Sequence, residues 1–105
     1  MIKNSLFTLL LTINFLCCQK VLLPMDSSQN DHLKAYGLIF SILQKSNNVE
    51  WLLNFKGGSF LFDYDQLLLK EAQLRGITFQ IINATDLNFI YQGIENNNMD
   101  IVLLE

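Results

Sequence analysis

The chain has 105 residues, half of them hydrophobic, with two cysteines and a formal net charge of -3. That length holds one small domain. Its seven Lys and Arg residues are scattered, which removes the clustered charge that nucleic-acid binding draws on for counterion release and that basic anchoring to a membrane surface requires.

Residues 1–18 read MIKNSLFTLLLTINFLCC. Lys3 supplies a positive start, residues 6–16 an apolar stretch broken only by Thr8, Thr12 and Asn14, and the chain turns polar at Gln19 and Lys20. This is the plan of a secretory signal peptide. The run is short for a bilayer span, which takes about 20 apolar residues. Cleavage would place an exported domain of residues 19–105 in the periplasm or outside the cell. A buried N-terminal helix is one alternative. A lipoprotein signal is another, with a lipid anchor at Cys17 or Cys18 holding the protein to a membrane, although the residues before each cysteine fit that motif poorly. A mature chain starting after Cys18 has no cysteine for a disulfide, a thiolate metal site or a nucleophile.

The next run, residues 20–25 (KVLLPM), is apolar, stops at Pro24 and reads as a buried strand. The polar cluster DSSQND follows, and Asn30 or Asp31 can cap a helix over residues 32–45. In that helix Leu33, Tyr36, Phe40 and Leu43 keep the rhythm of one buried face. Residues 49–55 (VEWLLNF) form a second strand, and its nearly continuous apolar content suits a sheet covered on both faces. Trp51 reads as packing against that sheet. After KGGS and FLF, Asp63 opens a second helix, with Leu67, Leu68, Leu69, Ala72 and Leu74 as its buried face and Gly76 at C′. A third strand lies over residues 77–82 (ITFQII). NATD caps a third helix through Leu87, Phe89, Ile90, Tyr91 and Ile94, and DIVLLE ends the sequence as a fourth strand.

The order is thus β-α-β-α-β-α-β. Strands that alternate with helices predict an α/β fold with a mostly parallel sheet, flavodoxin-like or Rossmann-like, joined by right-handed crossovers. A sheet this apolar, closing on a bare strand, is expected to be the N-terminal part of a larger domain or to pair with a missing C-terminal region or another chain.

In open parallel sheets ligands bind beyond the carboxyl ends of the strands. That rule selects Asp26 with Ser27 and Ser28, then Asn54, Lys56, Gly57, Gly58 and Ser59, and then Asn83, Thr85 and Asp86. If the first two places meet, Asp26 faces the Gly57-Gly58 turn. Two glycines let backbone N–H groups approach a ligand, so Asp26, Asn54, Gly57, Gly58 and Ser59 are the candidate binding residues for a small molecule. The competing reading is turn chemistry alone, because neither the P-loop nor the dinucleotide fingerprint is present. His32 is the only histidine. It has no metal-ligand partners at coordinating spacing, and Ser59, His32 and Asp26 lack the nucleophile elbow of a hydrolase triad. No cofactor motif is evident. Asp63 and Asp65 suit a helix N-terminus, and Asn83-Ala84-Thr85 matches the glycosylation sequon.

The segments Leu23-Pro24-Met25-Asp26, His32-Leu33-Lys34-Ala35-Tyr36-Gly37, Val49-Glu50-Trp51-Leu52-Leu53-Asn54 and Gly57-Gly58-Ser59-Phe60, with RGITFQII after them, resemble the start of an exported bacterial family labelled asparagine synthetase B. The likeness covers Leu22 to Ile82. It implies a flavodoxin-like or amidotransferase-like α/β protein. The glutaminase cysteine expected after the initiator methionine is replaced by Ile2, and no ATP-pyrophosphatase loop appears. The first expectation is therefore an exported small-molecule-binding or structural unit without catalysis of its own. The alternatives are an amidotransferase-like or amide-hydrolysing enzyme with catalytic groups downstream, and an interaction module completed by a partner strand, which the exposed DIVLLE would favour.

Overall fold

The computed structural model describes residues 19–97 and 99–105. The expected signal peptide and both cysteines lie outside them. The elements are β1 (Lys20–Leu23), α1 (His32–Gln44), β2 (Val49–Leu52), β3 (Ser59–Asp63), α2 (Gln66–Leu74), β4 (Gln80–Ile82), α3 (Ala84–Asn96) and β5 (Ile101–Leu104). They build one five-stranded sheet in the order β4-β1-β3-β2-β5. Every pairing in it is antiparallel, which overturns the expected parallel, flavodoxin-like or Rossmann-like sheet.

The physical reason is one strand that the simple alternation omits. SFLFD is β3, and the loop before it reverses the chain. Lys56, Gly57 and Gly58 all have positive φ, at 47, 75 and 88°, a run that glycine adopts without a Cβ penalty. The chain therefore folds β3 back on β2 as a hairpin, with Trp51 opposite Phe60 and Leu52 opposite Ser59. One reversal changes the direction of every later strand. The first six elements then form a split β-α-β-β-α-β unit of the ferredoxin-like kind, to which α3 and β5 are added.

Alternation along the strands builds two apolar layers. Val21, Leu23, Val49, Phe60 and Phe62 pack with Ala35, Leu38, Ile39 and Ile42 of α1 and with Leu68, Leu69 and Ala72 of α2. Leu22, Leu52, Leu61 and Ile82 point the other way and meet Ile94 of α3, flanked by Leu87, Ile90 and Tyr91. The continuous apolar runs did report a sheet covered on both faces. In this fold that covering comes with antiparallel pairing.

Local signals set the element ends. Asp31 caps α1 by accepting the Lys34 amide at 3.0 Å. Asp65, and not Asp63, caps α2 through the Leu67 and Leu68 amides. Asp63 ends β3 and pairs with Lys20 on the neighbouring strand at 2.6 Å. Gly76 follows α2 with φ of 71°, and Asn83 caps α3. Beyond the last β1–β4 pair, the buried Gln29 amide stands in for a length of backbone. Its Nε2 donates to the carbonyls of Pro24 and Thr78, and its Oε1 accepts the Thr78 amide at 2.7 Å.

The buried face of α1 is not the expected one. Ala35, Leu38, Ile39 and Ile42 are buried, whereas Leu33 and Phe40 are 82% and 62% exposed and Tyr36 is half exposed. In α2 the core takes Leu68, Leu69 and Ala72 and leaves Leu67 and Leu74 outside. Both helices carry more apolar residues than one face can bury: the periodic stripe expected in α1 reaches the core only at Leu43, whereas the face expected in α2 includes its buried residues and adds Leu67 and Leu74.

Candidate functional site

The five residues expected to bind a ligand lie at one end of the sheet. Leu23 of β1 pairs with Phe60 of β3, so the segment after β1 meets the turn before β3. The Met25 amide donates to the Lys56 carbonyl at 2.9 Å. A Cβ on Gly57 would lie 2.6 Å from the Met25 carbonyl oxygen and 2.8 Å from the Asp26 amide nitrogen. Asp26 and Gly57 are thus in direct contact through backbone. The Asp26 carboxylate turns back on its own loop and accepts from the Ser28 amide and hydroxyl. Those two bonds, led by the hydroxyl, hold its pKa below the ordinary carboxylate value.

Gly58 and Ser59 are engaged within the turn. The Gly58 amide and the Ser59 amide and hydroxyl all donate to the Phe55 carbonyl. Ser59 is fully buried, and Asn54 is exposed. The His32 Nε2 donates to the carbonyls of Met25 and Asp26 at 3.1 and 2.9 Å. The side chains of His32, Asp26 and Ser59 therefore bond to backbone or to Ser28, and no side-chain bond links the three into a relay. Antiparallel pairing also separates the third place. Ile82 lies opposite Lys20, so Asn83, Thr85 and Asp86 sit at the other end of the sheet. Among the described residues no group of acidic, His or Cys side chains is arranged to hold a metal ion, and no helix is long and apolar enough to cross a membrane.

A second surface carries more exposed apolar material. Trp51 lies against Phe60 with ring planes 17° apart and centroids 6.0 Å apart, and Tyr36 meets the same ring edge-on at 5.9 Å. The Trp51 indole N–H donates to the Gly58 carbonyl at 3.0 Å, so the hairpin turn fixes the indole in place. These rings, with Ile39, Phe40, Leu43 and Leu104, line an open trough of about 270 Å³ between α1 and the β2–β5 edge. Its exposed lining is almost entirely apolar. Val102 lies opposite Trp51 in the ladder and so extends the same face.

The trough ends at an open strand edge. β5 pairs with β2 on one side and with no strand among the described residues on the other. The Leu53 amide donates to the Asp100 carbonyl at 3.1 Å. Antiparallel alternation then directs the backbone groups of Val102 and Leu104 toward β2, and those of Ile101 and Leu103 outward. Leu103 is 54% exposed, and Ile101 and Val102 are also exposed. Asp100 and Glu105, both exposed, stand at the two ends of this apolar strand.

The sequence reading recognised the exposed last strand but missed the trough. The available signal was α1 itself, which is apolar around more of its circumference than a single face requires. Comparison with protein-family models, with curated proteins and with solved structures finds no match.

Proposed function

We propose that this domain is an interaction module that takes an extended partner segment as a sixth strand beside β5. The observation that carries the reading is the open β5 edge next to the trough: the outward N–H and C=O groups of Ile101 and Leu103 can bond a strand, and Tyr36, Phe40 and Trp51 can receive its alternate side chains. Strand addition works in this way, with main-chain bonds for affinity and pockets for specificity. Exposed apolar edges are otherwise avoided because they pair with whatever strand they meet.

The test is selection of seven-residue peptides from a displayed library. Leu103→Pro is the matched control. It removes an N–H that faces away from β2, a position where an edge strand tolerates proline. Peptides retained by the parent and lost by a folded Leu103→Pro variant support the reading. A selection indifferent to that substitution sinks it.

A further inference from the structure

Resting on that strand-addition reading, we infer the chemistry of the partner: an extended segment of another polypeptide, with apolar side chains at alternate positions and Lys or Arg at its two ends. Two observations lead there. The first is charge. Asp100 and Glu105 bracket β5, and both are exposed. A strand laid along β5 brings its own ends beside these carboxylates, where cations are attracted and anions repelled. In an antiparallel pairing of two β5 strands, the Asp100 end of each copy would meet the Glu105 end of the other. Four carboxylates would then gather in two clusters, which works against a second copy as the occupant.

The second observation is area. Tyr36, Phe40 and Trp51 are 53%, 62% and 36% exposed, which at about 200 Å² for a whole aromatic side chain offers roughly 300 Å². With Val102 on the same face and Ile101 and Leu103 on the other side of the edge, the apolar surface that an added strand could touch reaches roughly 500 Å², against about 800 Å² per partner in an interface of standard size. The patch suits one strand with two or three anchoring side chains better than the face of a folded subunit. Alternation decides where the anchors go: the side chains on the α1 side of the added strand enter the trough between Phe40 and Trp51, and those on the α3 side lie beside Leu103.

The probes are two synthetic peptides, Lys-Phe-Thr-Phe-Thr-Val-Lys and the same sequence with Glu at both ends. Each is titrated into the full chain, with the single tryptophan, Trp51, as fluorescent reporter. The expected result is a Kd about ten-fold lower for the Lys-flanked peptide at low salt, a difference of about 1.4 kcal/mol. That preference should shrink as salt screens the end charges and reverse in the double variant Asp100→Lys, Glu105→Lys. Equal binding of both peptides overturns the charge inference and leaves strand addition standing. Binding of neither, with a dimer on light scattering that Val102→Lys dissolves, overturns it in favour of a second copy. Binding of neither by a monomeric chain overturns the inference and the strand-addition reading together.

Discussion

The Tyr91 hydroxyl donates to both carboxylate oxygens of Glu50, at 2.8 and 2.9 Å. This contact ties α3 to β2 across the second apolar layer. Removing it leaves a partly covered carboxylate short of a donor. Tyr91→Phe is expected to lower unfolding stability by about 1–2 kcal/mol, in the range for a hydrogen bond to a charged group. Urea denaturation of parent and variant measures the difference, and an unchanged midpoint would mean that water replaces the phenol without loss.

The same pair makes stability depend on alkaline pH. Burial first, and then the Glu50 carboxylate, push the Tyr91 phenol above its ordinary value. The folded state therefore holds this proton more tightly than the unfolded chain does. The resulting contribution is fully present below the unfolded phenol value of about 10 and is lost as pH rises beyond it. Melting temperatures taken from pH 8 to 11 should fall more steeply for the parent than for Tyr91→Phe. Parallel curves would contradict the linkage.

Gly57→Ala should be among the most damaging single changes in the hairpin. The new methyl would need to occupy space 2.6 Å from the Met25 carbonyl oxygen, on a residue with φ of 75°. Backbone forms the obstacle, so no side-chain rotation relieves it. A loss of about 2 kcal/mol or more follows from the strain and displaced contacts. Gly93→Ala makes a useful control, since nothing lies within 4 Å of a Cβ there and alanine favours a helix interior. Calorimetry should place the two variants on opposite sides of the parent.

The two faces of α1 should respond differently to truncation. Leu38→Ala empties a fully buried site in the first layer and is expected to cost about 2–5 kcal/mol. Phe40→Ser alters the exposed stripe and should move stability by no more than about 0.5 kcal/mol, while weakening any peptide bound in the trough. If Phe40→Ser destabilised the free domain as strongly as Leu38→Ala, the stripe would belong to the core.

Helix positions were readable because their signals are local. Asp31, Asn83 and Gly76 act at the element ends where their side chains or backbone freedom predict. Strand direction depends on a count, and the five residues of β3 decided it. Phe60, Leu61 and Phe62 are too short an apolar run to read as a strand from sequence, and it is the run of positive φ at Lys56, Gly57 and Gly58 that turns the chain back. The meeting of Asp26 with Gly57 was foreseen as a condition on strand order, and antiparallel neighbours satisfy it. What those residues do there depends on bond partners such as Ser28, Phe55 and Met25, which no spacing rule supplies. The trough was hidden for a related reason: a helix with apolar residues on two sides offers two equally periodic stripes, and the sheet determines which one it covers.

The added position of β5 has a kinetic consequence. The split unit from β1 to β4 already has two helices and all the buried residues of the first layer, whereas among the described residues β5 joins the sheet through β2 alone. Release of β5 would cost one ladder and leave the order β4-β1-β3-β2 intact. Native-state hydrogen exchange should therefore resolve two tiers. The amides of Val102 and Leu104 should open through a low-energy partial unfolding, while those of Val21 and Leu22 await global unfolding.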